Sequence, residues 1–334
     1  MHLPKGKKTK EGYSTDNEVL SNLALKHELP AEILAYRSIA KLKSTYIDAL
    51  PKMLDSHTGR IHTFFNQTGT TTGRLSSSHP NLQNIPIRTP LGRRIRQAFI
   101  PPVGWKLLCV DYSQIELRVL AHLSADVLLK EAFFRGEDIH SSTAVALFDV
   151  FPTMVSAEMR RFAKVINFGV IYGMGAFRLA RELGLDQKTA QRYIDDYFRK
   201  HEGVRRYLDE VVVRVKKDGF VSTIFNRRRY FPEITSENQH IRQFVERAAI
   251  NATVQGSAAD IIKMAMLGVK RRLDNEGSKA YLVLQVHDEL VFECPAEEVS
   301  SLSPLVVEVM ENVVSLSVPL KVNISIGDNW DEAH

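Results

Sequence analysis

The chain has 334 residues, more than one simple core usually encloses, so two or three subdomains are expected. Hydrophobic residues make up 44% and charged residues 25%, the balance of an ordinary globular protein. No apolar run is long enough to span a bilayer and the first residues have no signal-peptide core, so neither a spanning helix nor a secretory leader is expected within this sequence.

The formal charge of +5 is too small to indicate nucleic-acid binding by itself. Its distribution is more informative. Basic residues cluster at Lys5-Lys7-Lys8-Lys10, Arg93-Arg94-Arg96, Arg160-Arg161-Lys164, Arg227-Arg228-Arg229 and Lys270-Arg271-Arg272. One such cluster is more readily a solvated face; five, beside acidic sites, point to a polyanionic partner. The two cysteines, Cys109 and Cys294, each sit in an apolar run and are expected to be buried free thiols, too few for a zinc knuckle.

In chain order, residues 1–16 read as a flexible Lys-rich lead-in. Residues 17–54 have helical periodicity, broken at Pro30 and Pro51. Thr58-Gly59-Arg60 reads as a turn and Ile61–Gln67 as a strand. The segment from Thr68 to Pro90 is rich in Thr, Ser, Gly, Asn and Pro, and polar stretches of this length are usually functional or disordered. Arg74, Gln83, Asn84 and Arg88 within it suit nucleotide contacts. Residues 105–112 return to strand, 113–217 are helical, and Ala157–Ile171 and Asp186–Lys200 are the clearest helices. Phe220–Phe231 reads as a hairpin turning at Asn226, because Asn tolerates positive φ. Ile241–Leu273 is helical, Ala280–Cys294 a hairpin with His287-Asp288-Glu289 at its tip, Ala296–Leu316 a helix and Leu320–Ile326 a last strand. Strands, a helical block and strands again suit one sheet with helices inserted into it.

Three constellations carry chemistry. Asp111 ends the apolar run Leu107-Leu108-Cys109-Val110, where strand gives way to helix. It is read either as a cap of that helix or as a carboxylate held rigidly at the rim of a core. Glu116 follows between Ile115 and Leu117. The hairpin acids are read either as a solvated turn or, since both flanking runs are apolar, as charges that need a cation. If the two strands are sheet neighbours, Asp111 and Asp288 approach each other, and hard carboxylates without a His pair suit Mg²⁺. A two-metal centre needs ions ~3.5–4 Å apart.

Second, Arg160, Lys164, Phe168 and Tyr172 follow four-residue steps, so the first three share a helix face. The face is read as a basic surface or as a grip on a triphosphate, with an aromatic against a sugar or base. His140 is a further phosphate donor or an ordinary surface histidine. Third, Arg247, Asn251 and Gln255 repeat on one face of an apolar helix. They face water or a nucleic-acid minor groove, whose acceptors barely differ between base pairs.

Taken together, these stretches resemble the family A DNA polymerases. Asp111-Tyr-Ser-Gln-Ile-Glu-Leu-Arg118 resembles motif A of that family, Arg160-x3-Lys164-x6-Ile171-Tyr172-Gly173 motif B, and Val286-His287-Asp288-Glu289 motif C. Thr72-Gly73-Arg74-Leu75-Ser76, Pro80–Pro86, Arg247–Asn251 with Gln255-Gly256, and Gly327-Asp328-Asn329-Trp330 are similar to further family segments.

The resemblance implies an α+β right-hand polymerase fold with an antiparallel palm sheet, inserted helical fingers and a partial helical thumb. Residues 1–57 would be the partial thumb, 58–125 and 245–334 the palm, and 126–244 the fingers. That would leave no room for a proofreading or 5′-nuclease domain. It implies a DNA polymerase that extends a primer with deoxynucleoside triphosphates and releases pyrophosphate. Two Mg²⁺ would be held by Asp111, Asp288 and the Tyr112 carbonyl, with Glu289 in support.

Arg160, Lys164 and His140 would hold the phosphates, and Lys164 would also protonate the leaving group. Phe168 would lie against the sugar. Glu116, packed with Tyr172, would exclude a ribose 2′-hydroxyl, and Gln114 would join the nucleotide site. Arg74, Gln83, Asn84, Arg247, Asn251, Gln255 and His287 would contact primer-template DNA. The implied partners are that DNA and deoxynucleotides, with no membrane; the implied state is a monomer in the bacterial cytoplasm, associated with the nucleoid. The sequence departs from the family pattern at Asn226, where glycine is usual. The competing expectations are a palm-fingers module that binds DNA without turnover, and a single-subunit RNA polymerase, against which Glu116 argues.

Overall fold

The computed structural model describes Pro4 and residues 8–10, 12–87 and 89–334; Lys5, Lys7 and Arg88 lie outside the described residues. Two compact units form. One contains residues up to 65 together with 77–99, the other residues 66–76 and 100–334.

In the smaller unit, helices Asn17–Ala24 and Glu28–Leu42 are followed by a short π-helical turn, Lys43–Ile47. The expected break at Pro30 falls instead at Leu25–His27. Pro30 lies in the first turn of the second helix, where its missing N–H has no intrahelical partner to lose. Leu20, Tyr46, Leu50, Leu82 and Ile85 are the buried apolar residues, and Tyr46 Oη donates to the Asn84 carbonyl at 2.6 Å. The strand expected over Ile61–Gln67 narrows to Phe64–Asn66.

The larger unit is built on a four-stranded antiparallel sheet in the order Val322–Gly327, Trp105–Tyr112, Glu289–Pro295, Tyr281–Val286. Leu107 and Cys109 on one face of the central strand and Leu108 and Val110 on the other are all buried, which explains why the run is continuously apolar and not alternating. Helix Val299–Asn312 packs on that strand, and Tyr112 Oη donates to the Met310 carbonyl at 2.7 Å. This helix stops before the expected Leu316: Glu311 turns back to accept from the Val322 amide (3.2 Å) and Lys321 Nζ (2.7 Å), which anchors the start of the last strand.

Seven of the larger unit's helices lie between Ile115 and Asp218, among them Ala157–Ile171 and Gln187–Lys200 with Asp186 as N-cap, and the 37-residue helix Gln239–Asn275 closes the block. The hairpin Phe220–Ser222 and Arg228–Tyr230 turns with Asn226 at φ 63°, in the left-handed region expected of it. Cys109 and Cys294 are buried free thiols.

Candidate active site

Sheet register puts the acids together. Asp111 pairs across the sheet with Glu289, and the Tyr112 amide donates to the Asp288 carbonyl at 3.1 Å. Asp288 therefore lies just beyond the strand end, beside Asp111. The hairpin tip is a two-residue turn, His287-Asp288, and Glu289 opens the next strand, buried to 3% exposure, a shorter tip than the sequence indicates. His287 holds φ 57°, which is rare for a residue with a side chain, and Gln285 Nε2 fixes its carbonyl at 2.6 Å.

Asp111 does not cap the following helix. That helix, Ile115–Ser124, has Gln114 as its N-cap residue, at φ 53° and without a side-chain capping bond. The left-handed turn at Gln114 swings the chain sharply, and Glu116 in the first helical turn comes to face the same space as Asp111.

That space is a cavity of about 400 Å³ lined by Arg74, Asp111, Tyr112, Gln114, Glu116, His140, Arg160, Lys164, Phe168, Tyr172, His287 and Asp288, with Ala258, Ala259 and Ile262 of the long helix. Two carboxylates form its floor. Burial first, and then the charges of Asp288 and Glu289, together push Asp111 up to about 7. Burial raises Asp288 as well, and the Glu116 charge adds to it. Two adjoining acids held above their ordinary range signal a deficit of positive charge, and a divalent cation would relieve it. Among the described residues no group of three or more His, Cys, Asp or Glu side chains forms a cage. A two-carboxylate floor of this kind fits ions such as Mg²⁺ that complete their shell with water and phosphate oxygens.

The wall is cationic. Arg160 Nη2 pairs with Asp138 Oδ2 at 2.6 Å, and Asp138 caps helix Ile139–Phe148 through the Ser141 amide at 2.7 Å. Burial alone would raise Asp138, but the Arg160 and Ser141 bonds hold it down at about 2. The same helix carries His140. It is no surface residue: it is 3% exposed, and burial drives it down to about 4, with Arg160 and Lys164 adding to the effect against Asp138. Asn167 Nδ2 lies 3.1 Å from His140 Nδ1, so that nitrogen accepts and the ring proton sits on Nε2. The His140 ring stands 5.6 Å from that of Phe168.

Glu116 closes one side. It is 9% exposed and accepts from Tyr172 Oη at 2.7 Å and from Arg74 Nη2. Burial, then the Glu116 charge, raises the Tyr172 hydroxyl, so it remains a donor; hydrogen bonding to Gln255 works in the opposite sense.

A match to the family model for DNA polymerase family A extends over residues 1–332. The chain belongs to DNA polymerase family A. It is 52% identical over 334 residues to DNA polymerase I of Geobacillus stearothermophilus, covering 100% of this chain and 38% of that protein. Identity to the thermostable DNA polymerase I of Thermus filiformis is 51% over 331 residues, or 99% of this chain and 40% of that one. Among solved structures, the POL domain of Pol1 from M. smegmatis, in complex with DNA primer-template and dNTP, superposes with a TM-score of 0.94 at 48% identity. That match covers 100% of this chain and 59% of the other, and it shows the α+β polymerase fold. The chain thus spans well under half the length of the curated relatives named here. Members of family A generally use divalent metal ions, in keeping with the two-acid floor. No helix among the described residues is long and apolar enough to cross a membrane.

Of the residues this family A chain was expected to use, twelve line the one cavity. Glu289 lies behind it, its Oε1 3.3 Å from His334 Nδ1. Gln83 and Asn84 belong to the smaller unit, on a short 3-10 turn that Asn81 caps. Arg247 packs against Gly173, whose φ of 62° and lack of Cβ leave room for the Arg247 stem. Asn251 and Gln255 share the long helix with Arg247 but do not line the cavity, and the Asn251 Oδ1 is buried without a partner. The sequence reading missed Asn167, fully buried within a helix and so carrying no periodic signal, although it sets the His140 tautomer. Ala258, Ala259 and Ile262 were missed too, because their contribution is smallness and apolarity. A larger, open groove of about 800 Å³ runs along helix Glu202–Asp218, but its charges pair largely among themselves, as Arg205 does with Asp209 at 2.9 Å.

Proposed function

We propose that this chain catalyses template-directed DNA synthesis, joining a deoxynucleoside triphosphate to a primer 3′ end with release of pyrophosphate. The observation that carries the reading is the pair Asp111 and Asp288, facing Arg160 and Lys164 across a cavity whose remaining side is the Glu116–Tyr172 pair. Two Mg²⁺, held by Asp111, Asp288 and the Tyr112 carbonyl, would supply charge neutralisation at the attacking and leaving oxygens.

The chain's own residues do the rest. The primer 3′-hydroxyl gives up its proton to water, its oxygen attacks the α-phosphorus as the bond to the bridging oxygen breaks, and the β- and γ-phosphates leave along the Arg160, Lys164 and His140 wall. Lys164 donates a proton to the departing pyrophosphate. His140, neutral well above its value of about 4, offers Nε2–H and not a charge. Phe168 lies against the sugar and Gln114 borders it. The Glu116 carboxylate, fixed by Tyr172 and Arg74, occupies the volume a 2′-hydroxyl would need. Glu289 supports Asp111 from the neighbouring strand. Arg74, Gln83, Asn84, Arg247, Asn251, Gln255 and His287 hold the primer-template DNA.

By role, residues 1–57 serve as a partial thumb, 58–125 and 245–334 as palm and 126–244 as fingers, a division by task, whereas the two compact units are defined by packing. The setting that fits is the bacterial cytoplasm in association with the nucleoid, with the chain acting as a monomer. Primer extension with Mg²⁺ and deoxynucleotides tests the proposal: wild type must extend, and Asp288→Asn must not. Extension by the variant at the wild-type rate would remove the catalytic assignment.

A further inference from the structure

The loop that carries Arg74 has little backbone structure of its own. Between residues 68 and 75 it is held by the Gly73 amide to the Thr70 carbonyl at 3.4 Å, and by Thr70 Oγ1 to the Arg74 carbonyl at 2.7 Å. From outside, the Arg227 guanidinium fastens it. Arg227 Nη2 donates to the Thr72 carbonyl at 2.7 Å and to the Gly256 carbonyl at 2.9 Å, while Nε donates to Asp260 Oδ1 at 2.9 Å.

Two glycines make the approach possible. A Cβ on Gly73, which holds φ 76°, would lie 2.4 Å from the Arg227 guanidinium carbon, and one on Gly256 would lie 2.9 Å from Nη2. Arg227 is itself fixed, because its amide donates to Thr223 Oγ1 at 3.2 Å and its carbonyl accepts from the Thr223 amide at 3.0 Å. One hairpin residue thus pins the polar loop to the long helix, and the next side chain beyond the pinned Gly73 is Arg74, paired with Glu116.

We propose that Arg227, with Asp260, is a positioning residue for sugar selection: it sets where Arg74 meets Glu116 and so how firmly Glu116 is held against a 2′-hydroxyl. The inference rests on the reading of Glu116 as the group that excludes ribonucleotides. A guanidinium is required because its planar fork satisfies three acceptors from two chain segments at once; a lysine ammonium on a flexible stem reaches Asp260 but not both carbonyls. The pair is partly open, with Arg227 at 32% and Asp260 at 11% side-chain exposure, so geometry, more than stability, is what it contributes.

The test is the ratio of kcat/KM for a deoxynucleotide to that for the matching ribonucleotide, measured on single-nucleotide insertion. Such a ratio does not depend on the fraction of active protein. Arg227→Lys retains the ion pair and so guards against misfolding. The deoxy-over-ribo ratio is expected to fall about tenfold in Arg227→Lys and in Arg227→Ala, with the lysine variant melting within a few degrees of wild type. The double variant Arg227→Lys/Glu116→Ala should match Glu116→Ala alone, because the effect passes through Glu116. An unchanged ratio in both Arg227 variants, or a further fall in the double variant, overturns the inference. Glu116→Ala separates the two layers: if it leaves the ratio unchanged, the gate reading itself fails; if it lowers the ratio while the Arg227 variants do not, only the positioning role is lost.

Discussion

Tyr172 Oη donates to Glu116 Oε2 at 2.7 Å, joining the end of the Ala157–Ile171 helix to the first turn of the helix after the central strand. Arg74 reaches the other carboxylate oxygen. Glu116 therefore has both oxygens engaged and cannot swing away to admit a bulkier sugar without breaking two bonds, one of them an ion pair.

Removing the Glu116 side chain should open that volume. Glu116→Ala is expected to lower the deoxy-over-ribo preference by about 10²-fold or more, and Tyr172→Phe, which loses one of the two bonds, by less. Parallel insertion assays with a deoxynucleotide and its ribonucleotide read this directly. If Glu116→Ala selects deoxynucleotides as strongly as wild type, the carboxylate does not exclude the hydroxyl.

The two floor carboxylates should show opposite effects on activity and stability. Asp111→Asn and Asp288→Asn each remove a charge on which the proposed cation binding would depend, and extension should then fall by about 10³-fold or more, several kcal/mol of transition-state stabilisation. In chelator, however, neither change should lower the melting temperature, since each relieves a buried acid that its neighbours already hold above the ordinary range. Calorimetry in EDTA beside an extension assay checks both halves. A large drop in melting temperature would mean that these side chains bear structure and not charge.

How far the sequence carried this picture follows from what each signal encodes. The central strand Trp105–Tyr112 was readable to the residue, because burial on both faces writes a continuous apolar run. The Phe220–Tyr230 hairpin was readable because Asn226 had a backbone reason to be there. Asp111 was ambiguous until register decided it: a strand-end acid resembles a helix cap locally, and only the pairing with Glu289 shows that it lies beside Asp288. The engagement of Arg74 with Glu116 was invisible, since nothing in a polar loop says which distant acid it meets. His140 looked like a surface residue because the Asn167 and Phe168 that bury it lie on another helix.

The cationic wall should divide by role. Arg160 is tied to Asp138 and exposed; if it is, as proposed, a binding contact made alike before and during reaction, Arg160→Ala should raise the nucleotide KM about tenfold with a smaller change in kcat. On the proposed role of Lys164 as proton donor to the departing pyrophosphate, Lys164→Ala should lower kcat itself. His140, held at about 4 by burial, protonates only in acid, and the rate profile should show no His140 inflection near pH 6.5. Pre-steady-state insertion with each variant, repeated across pH, separates these effects. A Lys164 variant altered only in KM would remove its proton-donor role.

Away from the cavity lining, Asp126 and His201 form a buried pair, Oδ1 to Nδ1 at 3.0 Å with side-chain exposures of 4% and 5%. Asp126 also caps helix Val127–Phe134 through the Leu129 amide at 3.0 Å, and Gly203 packs against its backbone, where a Cβ would lie 2.8 Å from the Asp126 Cα. Burial pushes the Asp126 carboxyl up, but the His201 bond and charge and the Leu129 and Val204 amides outweigh it and leave it below its ordinary range. A carboxyl depressed in the folded state contributes stability above its unfolded value of about 3.9, and that stability is lost as pH falls through the folded value. Asp126→Ala should therefore cost about 3 kcal/mol at neutral pH, with His201 left without its partner, and the gap between variant and wild type should narrow as pH falls below about 4. Denaturant melts at pH 7 and pH 3.5 read the difference; a gap that stays constant between them would mean that the cap and packing, not the charge, carry the stability.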